Sequence, residues 1–528
     1  MIVRDRPQTS ETHQQDAATT YDPIMTGNRS LILTISLLMT IATVSVHAAL
    51  RTASVFSDNM VLQQGQSVPV WGTADDGEEI TVTFRNQSVK TIARNLRWEL
   101  RLRSLKPGGP PETFTVRSRS AKIIYTNVIV GDVWVCSGQS NMEWSMKNSF
   151  APEADIASAT NTEIRVFTVL KNRSEAPTRL IKSSWEICSP KSIEGFSAVG
   201  YYFGRDLQKR RKVPVGLIGT YWGGTPVEPW MSRPALEINP RYVKEILDRY
   251  PAAHEKWRRD DEAYEAEKAE ATRAGRPFER NRPYEPWGGY ELYNGMIAPL
   301  LPYAVCGVIW YQGESNAGRA EQYRTLFPDL IRNWRHDWNQ PELPFLCVQL
   351  APFYDPKAEP AESTWAELRE AQLLATKVLP KVGMAVITDV GDSKDIHPPR
   401  KQPVGARLAL AARAIAYGER IAYSGPIYRT MKIQGDRIVL NFSHVGKGLE
   451  ARDGELKGFS ICGEDRKFVW ARAEIVGDTV FVSSPQVSQP VAVRYGWADC
   501  PEVNLWNKDG LPASPFRTDD FPLITAGK

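Results

Sequence analysis

The two residue types that most often hold metals are scarce here, with six cysteines and six histidines in 528 residues. No pair of cysteines has zinc-ribbon spacing and no His-Glu-x-x-His occurs, so no metal site and no cofactor are expected. An excess of charge of one sign is also missing. Lys+Arg 65 against Asp+Glu 61 leaves +4, which gives neither nucleic acid nor an anionic membrane a reason to bind. Internal repeats and low-complexity stretches are absent. So is the Gly-x-Ser-x-Gly elbow of lipases and peptidases: Gly138-Gln139-Ser140-Asn141-Met142 and Gly195-Phe196-Ser197-Ala198-Val199 both lack the second glycine.

The one long apolar run, Leu31 to Val46, is too short for a comfortable membrane span. It follows Arg29 and ends in Val46-His47-Ala48-Ala49, the pattern of a secretory signal peptide. Residues 1–48 therefore read as a signal with an unusual polar extension, and Met25 offers an alternative start. The product is expected to be exported, to the periplasm or the outside, with no membrane span in the mature chain. Export permits disulfides, yet Cys136, Cys306 and Cys347 lie in apolar runs that suit free buried thiols. Cys462 and Cys500 share the C-terminal region and are the one pair placed to join.

Beyond the signal the hydrophobic period changes twice. Residues 49–125 carry short alternating runs such as Ile80-Thr81-Val82-Thr83-Phe84, punctuated by Asp75-Asp76-Gly77 and Lys106-Pro107-Gly108-Gly109-Pro110. This predicts a small antiparallel sandwich. From 126 to 425, strand-like runs alternate with helical ones, which predicts an α/β domain with a mostly parallel sheet and helices on both faces. A charged insert over about 250–286 reads as a solvated helix, or as a cover over an active site. Short β runs return over 426–528 and predict a C-terminal β domain.

Chemistry is concentrated at the ends of apolar runs. Val128-Ile129-Val130-Gly131-Asp132-Val133-Trp134-Val135 passes into Cys136-Ser137-Gly138-Gln139-Ser140-Asn141 and then a helical segment. A serine at such a turn sits at the carboxyl edge of the sheet beside free N–H groups, where it can be a nucleophile or simply a helix cap. Its base follows by elimination. His13 and His47 belong to the signal, His254 to the insert, His336 to a charged helix and His444 to the C-terminal β region. His397 remains, in a loop between an apolar strand and a helix, at the same sheet edge as Ser140. Two further loops can supply oxyanion donors: Gly223-Gly224 through backbone N–H groups, and Gln312-Gly313-Glu314-Ser315-Asn316 through side-chain amides.

Gly131-Asp132-Val133-Trp134 with Ser137-Gly138-Gln139-Ser140-Asn141-Met142-Glu143 resembles the nucleophile block of the sialate O-acetylesterase family, a branch of the SGNH-type hydrolases. The stretches at Tyr221–Trp230, Trp310–Asn316 and Ile396–Gly405 resemble that family's other blocks. The resemblance implies an SGNH-type three-layer fold and Ser140 as nucleophile, with Ser140, Gly223 and Gly224 at the oxyanion hole. It also implies an O-acetylated carbohydrate as substrate, sialic acid or an acetylated polysaccharide. In one place the chain departs from the wider pattern. Ser315 stands where an amide donor is usual, so Gln312 is the expected substitute and Asn316 the second. The third catalytic member is also displaced. The usual position, three residues before the histidine, holds Lys394, and Asp395 stands two before it. Side chains two apart in an extended segment share a face, which favours Asp395 over Asp392, Asp389 or a simple Ser–His dyad. The expected function is a secreted serine esterase working through an acetyl-enzyme. A non-catalytic carbohydrate-binding protein on the same fold is the alternative, and the joint presence of Ser140 and His397 argues against it.

Overall fold

Successive residues of the central strands enter opposite cores. Val133 and Val135 join one buried cluster, while Trp134 and Cys136 join another. Val308 and Trp310 separate from Ile309 and Tyr311 in the same way, as Phe345 and Cys347 do from Leu346 and Val348. Strands apolar on both faces need cover on both, which is why helices lie to either side. The structure is a computed structural model and describes residues 48–528. The expected signal run, Leu31 to Val46, lies outside the described residues. Helices Ala198–Arg211 and Gln402–Ile415 pack on one face of the sheet through Phe203, Leu207, Leu408 and Ala412. Helices Ala320–Asp337 and Thr364–Val378 pack on the other through Phe327, Trp334, Leu368 and Ala375.

The sheet has eleven strands. Its main path runs Trp185–Ile187, Ile164–Thr168, Val215–Tyr221, Lys122–Gly138, Gly307–Tyr311, Phe345–Val348, Val382–Ala385. All steps of that path are parallel except the first. Lys122–Gly138, however, is 17 residues long, and its first half pairs antiparallel with Glu112–Arg117. The sheet as a whole is therefore mixed, its main path parallel beyond the first step and most of its N-terminal ladders antiparallel. One continuous strand runs through the boundary placed at 125, so the N-terminal β ladders and the central sheet share their backbone hydrogen bonding.

The remaining expectations differ at their ends. The apolar strand expected before His397 forms over Val382–Ala385, and the chain then becomes the loop that carries His397. The insert is a 24-residue helix, Tyr250–Arg273, followed by an extended return. C-terminal strands such as Arg437–Ser443 and Ala492–Tyr495 enclose a separate apolar cluster. The buried Arg369 guanidinium ties this region to the sheet by donating to the carbonyls of Leu350, Ala351, Ala498 and Asp499. All six cysteines are free thiols, Cys462 and Cys500 included.

The sheet's register sets the level of the loops. Gly138 lies opposite both Tyr221 and Tyr311, so three neighbouring strands end together. On one side of Lys122–Gly138 the chain places its next two parallel strands, and on the other side the last three. The crevice at such a reversal is where open α/β sheets bind ligands. Gly138 has φ +135, and a Cβ there would sit 2.1 Å from the Tyr311 carbonyl oxygen. Gly138→Ala should therefore lower stability by about 1 kcal/mol or more. A thermal melt that matches wild type would remove this account of the turn.

Candidate active site

Ser140 is the first residue of a short helix, Ser140–Glu143, so its N–H has no acceptor within that helix. Backbone bonds hold the turn on both sides: Gln139 N–H donates to Tyr311 O at 2.9 Å, and Trp222 N–H donates to Gly138 O at 3.1 Å. The Gln139 side chain accepts from Gly313 and Ser315 N–H. The register and these four bonds bring the nucleophile loop, the paired-glycine loop and the 312–316 loop to one edge.

His397 reaches Ser140 across 257 residues of sequence, with Nε2 2.8 Å from Oγ. Its loop is fastened by Asn141 Nδ2 donating to Ile396 O at 3.0 Å and by Phe150 N–H donating to Pro399 O at 2.9 Å. Trp144 stacks on the imidazole, centroids 5.1 Å apart and planes 14° from parallel. The ring has little freedom to turn. For Nε2 to accept the serine proton, Nδ1 must carry the other one, and Nδ1 faces Asp395 at 3.5 Å. That separation is Coulombic rather than a formed hydrogen bond. The same carboxylate oxygen accepts the His397 backbone N–H at 2.8 Å. The other two aspartates are engaged elsewhere. Asp389 takes both Arg407 nitrogens, at 2.6 and 2.8 Å, and Asp392 accepts the Lys394 N–H.

Behind the pair lies a buried polar network that sequence reasoning missed. Asn141 Nδ2 donates to Glu314 Oε1 at 2.6 Å, and Lys401 Nζ donates to Asn141 Oδ1. The Lys401 ammonium sits over the rings of Trp144 and Tyr311, at 5.6 and 5.4 Å. Burial pulls its pKa down to about 7 and pushes the Glu314 carboxyl up. The His397 imidazole is held below the ordinary histidine value, first by burial and then by the Lys401 charge, while Asp395 acts in the opposite direction. At neutral pH the base is thus in the form that can accept a proton. Asn141, Glu314 and Lys401 all fall inside the motifs quoted from the sequence. Charged residues embedded in such motifs were the available signal.

The expected oxyanion donors fare unequally. Gln312 and Asn316 are fully buried and occupied within the scaffold. Gln312 Nε2 donates to Asn316 Oδ1 and Thr225 O, its Oε1 accepts from Tyr323, and Asn316 Nδ2 donates to Glu228. In this arrangement both amides brace loops. Gly223 does pack on the nucleophile, since a Cβ there would lie 3.1 Å from Ser140 Cβ. Its N–H donates to Glu143 Oε2 at 2.7 Å, and Lys171 pairs with Glu143 Oε1 at 2.5 Å. Gly224 follows with φ +74, and its carbonyl accepts from Trp287 Nε1 at 3.1 Å. A cleft of about 610 Å³ opens over Ser140, His397, Glu143, Trp144, Leu170 and Lys171. Among the described residues no group of His, Cys, Asp and Glu is arranged to hold a metal.

A serine and a histidine hydrogen-bonded at the strand ends form the constellation found in serine hydrolases, and the chain's relatives place it among the carboxylic ester hydrolases. Residues 130–263 and 278–413 match the family described as carbohydrate esterase, sialic acid-specific acetylesterase, and the chain belongs to that family. It is 30% identical to a sialate O-acetylesterase of Rattus norvegicus, over 91% of this chain and 96% of the relative. The sialate O-acetylesterase of Homo sapiens is 29% identical over 88% of this chain and 92% of that protein. Among solved structures, a carbohydrate acetylesterase from Xanthomonas citri superposes with a TM-score of 0.77 at 37% identity, covering 89% of this chain and all of that one.

The opposed influences on His397 give a test by sign. A lowered histidine pKa means that activity is retained above it and lost as pH falls through it. Lys401→Met removes a cation and should move the acid limb of kcat/KM to higher pH. Asp395→Asn removes an anion and should move it to lower pH, with kcat falling roughly 10²-fold or more if Asp395 steadies the imidazolium. A pH–rate series in which both variants shift the same way would refute this electrostatic reading.

Proposed function

We propose that the chain removes O-acetyl groups from carbohydrates through an acetyl-enzyme on Ser140. The observation that carries this reading is the 2.8 Å contact between Ser140 Oγ and His397 Nε2 at the mouth of the cleft. The relatives, sialate O-acetylesterases and a carbohydrate acetylesterase, supply the substrate class. Ser140 Oγ attacks the acetyl carbonyl while its proton passes to His397 Nε2. The carbonyl oxygen becomes an oxyanion met by the Ser140 N–H and, once Glu143 yields it, the Gly223 N–H, with Gly224 extending the loop. The C–O bond to the sugar breaks, and the sugar oxygen takes the proton from His397. Water then attacks the acetyl-serine, giving its proton to His397, and acetate leaves as Ser140 recovers its hydrogen. Asp395 serves as the anion beside Nδ1. The apolar run Leu31 to Val46 would direct export of the enzyme.

Ser140→Ala and His397→Ala should each reduce acetate release by roughly 10⁴-fold or more, with an unchanged far-ultraviolet spectrum. Because the two act as a unit, the double variant should be no slower than the slower single one. Near wild-type acetate release from acetylated sialic acid, xylan or pectin in either single variant would end the proposal.

A further inference from the structure

The charged insert brings aromatic rings to the edge of the cleft. Its return segment is pinned along the helix Tyr250–Arg273 by Arg282 on both oxygens of Asp261, by Arg280 on Glu267, and by Phe278 edge-on to Tyr264. Trp257 Nε1 donates to Pro283 O at the end of this run. The segment then delivers Tyr284 and Trp287 beside the paired-glycine loop. Trp287 donates to Gly224 O and stands edge-on to Trp222, with centroids 5.2 Å apart. Tyr284 is 6.2 Å from Trp287, and its hydroxyl would lie 3.3 Å from a Cβ on Gly224. Arg173 lies over the Trp287 ring and binds Glu285, Glu291 and the Pro286 carbonyl, which fixes the segment's end. Folding thus places three rings one residue from Gly223, which itself touches Ser140.

Tyr284 is 66% exposed. The wall joins the catalytic cleft through Lys171, which lines the cleft and lies over the Trp222 ring at 5.4 Å. Both cations of the wall are already paired, Lys171 with Glu143 and Arg173 with Glu285 and Glu291. Each of these cations covers one face of Trp222 or Trp287, so what the wall offers a ligand is the exposed Tyr284 ring and the uncovered sides of the two indoles rather than a free charge. A pyranose presents a face of polarised C–H bonds that matches the negative face of an aromatic ring.

We propose that Trp222, Trp287 and Tyr284 form a saccharide subsite beside the nucleophile, which takes an uncharged pyranose of the acetylated substrate by ring stacking. The inference deepens the deacetylase reading and rests on it. Here the insert acts as a scaffold for specificity residues.

The test compares an acetylated xylo-oligosaccharide with p-nitrophenyl acetate, which carries no sugar. Tyr284→Ala and Trp287→Ala should lower the saccharide-to-nitrophenyl ratio of kcat/KM at least tenfold, mainly through a higher KM for the saccharide. Tyr284→Phe keeps the ring and should restore most of that ratio, and thermal melts of each variant check its folding. A ratio within twofold of wild type in both alanine variants overturns the subsite. So does a wild-type enzyme that cleaves p-nitrophenyl acetate through Ser140 yet ignores the saccharide. Wild-type protein that releases acetate from neither ester overturns the deacetylase reading itself.

Discussion

The catalytic edge depends on one close approach of backbones, Gly138 against Tyr311. A side chain at residue 138 would collide with the Tyr311 carbonyl, so the nucleophile strand and its neighbour can run side by side to the end only with glycine there. The same carbonyl then takes the Gln139 N–H, and Gly138's own carbonyl takes that of Trp222. Three loops from distant parts of the chain are thereby fixed to each other before any side chain reacts. The serine's position is a property of sheet register, and side-chain chemistry is added to it afterwards.

Behind that edge, charge is buried at some cost. Lys401 and Glu314 are both removed from water, and burial is the leading influence on each, driving both toward their neutral forms. Asn141 stands between them and lets each find a partner through its amide, while Trp144 and Tyr311 offer ring faces to the ammonium. The amide is also bonded to the Ile396 carbonyl, next to His397. One side chain therefore couples the residue following the nucleophile to the base's loop and to the buried charges. Such a network fastens the His397 loop to the Ser140 turn and sets part of the field at the imidazole.

Much of this was legible in the sequence, for reasons that can be named. The central strands show in the sequence as apolar runs such as Val128 to Val135, because burial on both faces leaves little polar to interrupt them. His397 was reached by exclusion, since each of the other histidines lay in a segment with a simpler explanation. What was not legible also has causes. Gln312 and Asn316 bond to Thr225, Glu228, Tyr323 and each other, and sequence carries no record of which polar groups meet. The mixed character of the sheet was hidden because one strand of 17 residues belongs to two ladders, antiparallel along its first part and parallel along its last. The grouping of Trp222 with Trp287 was not legible because the two meet only after the segment that follows a 24-residue helix has run back along it.

The shortness of the nucleophile helix bears on how charge is handled at the reacting carbonyl. Four residues supply few aligned peptide dipoles, so the field of a long helix is not available at Ser140. Under the proposed acetyl-enzyme route an oxyanion would be met by individual N–H groups, and the state of Gly223 would then matter most. Its N–H is bonded to Glu143, a carboxylate that would repel an oxyanion at the same point. Lys171 offsets that repulsion by holding the other carboxylate oxygen, and it reaches the Trp222 face from the same place. Lys171 therefore meets both the carboxylate that holds the Gly223 N–H and the face of Trp222, so this charge and this ring share one neighbour beside Ser140.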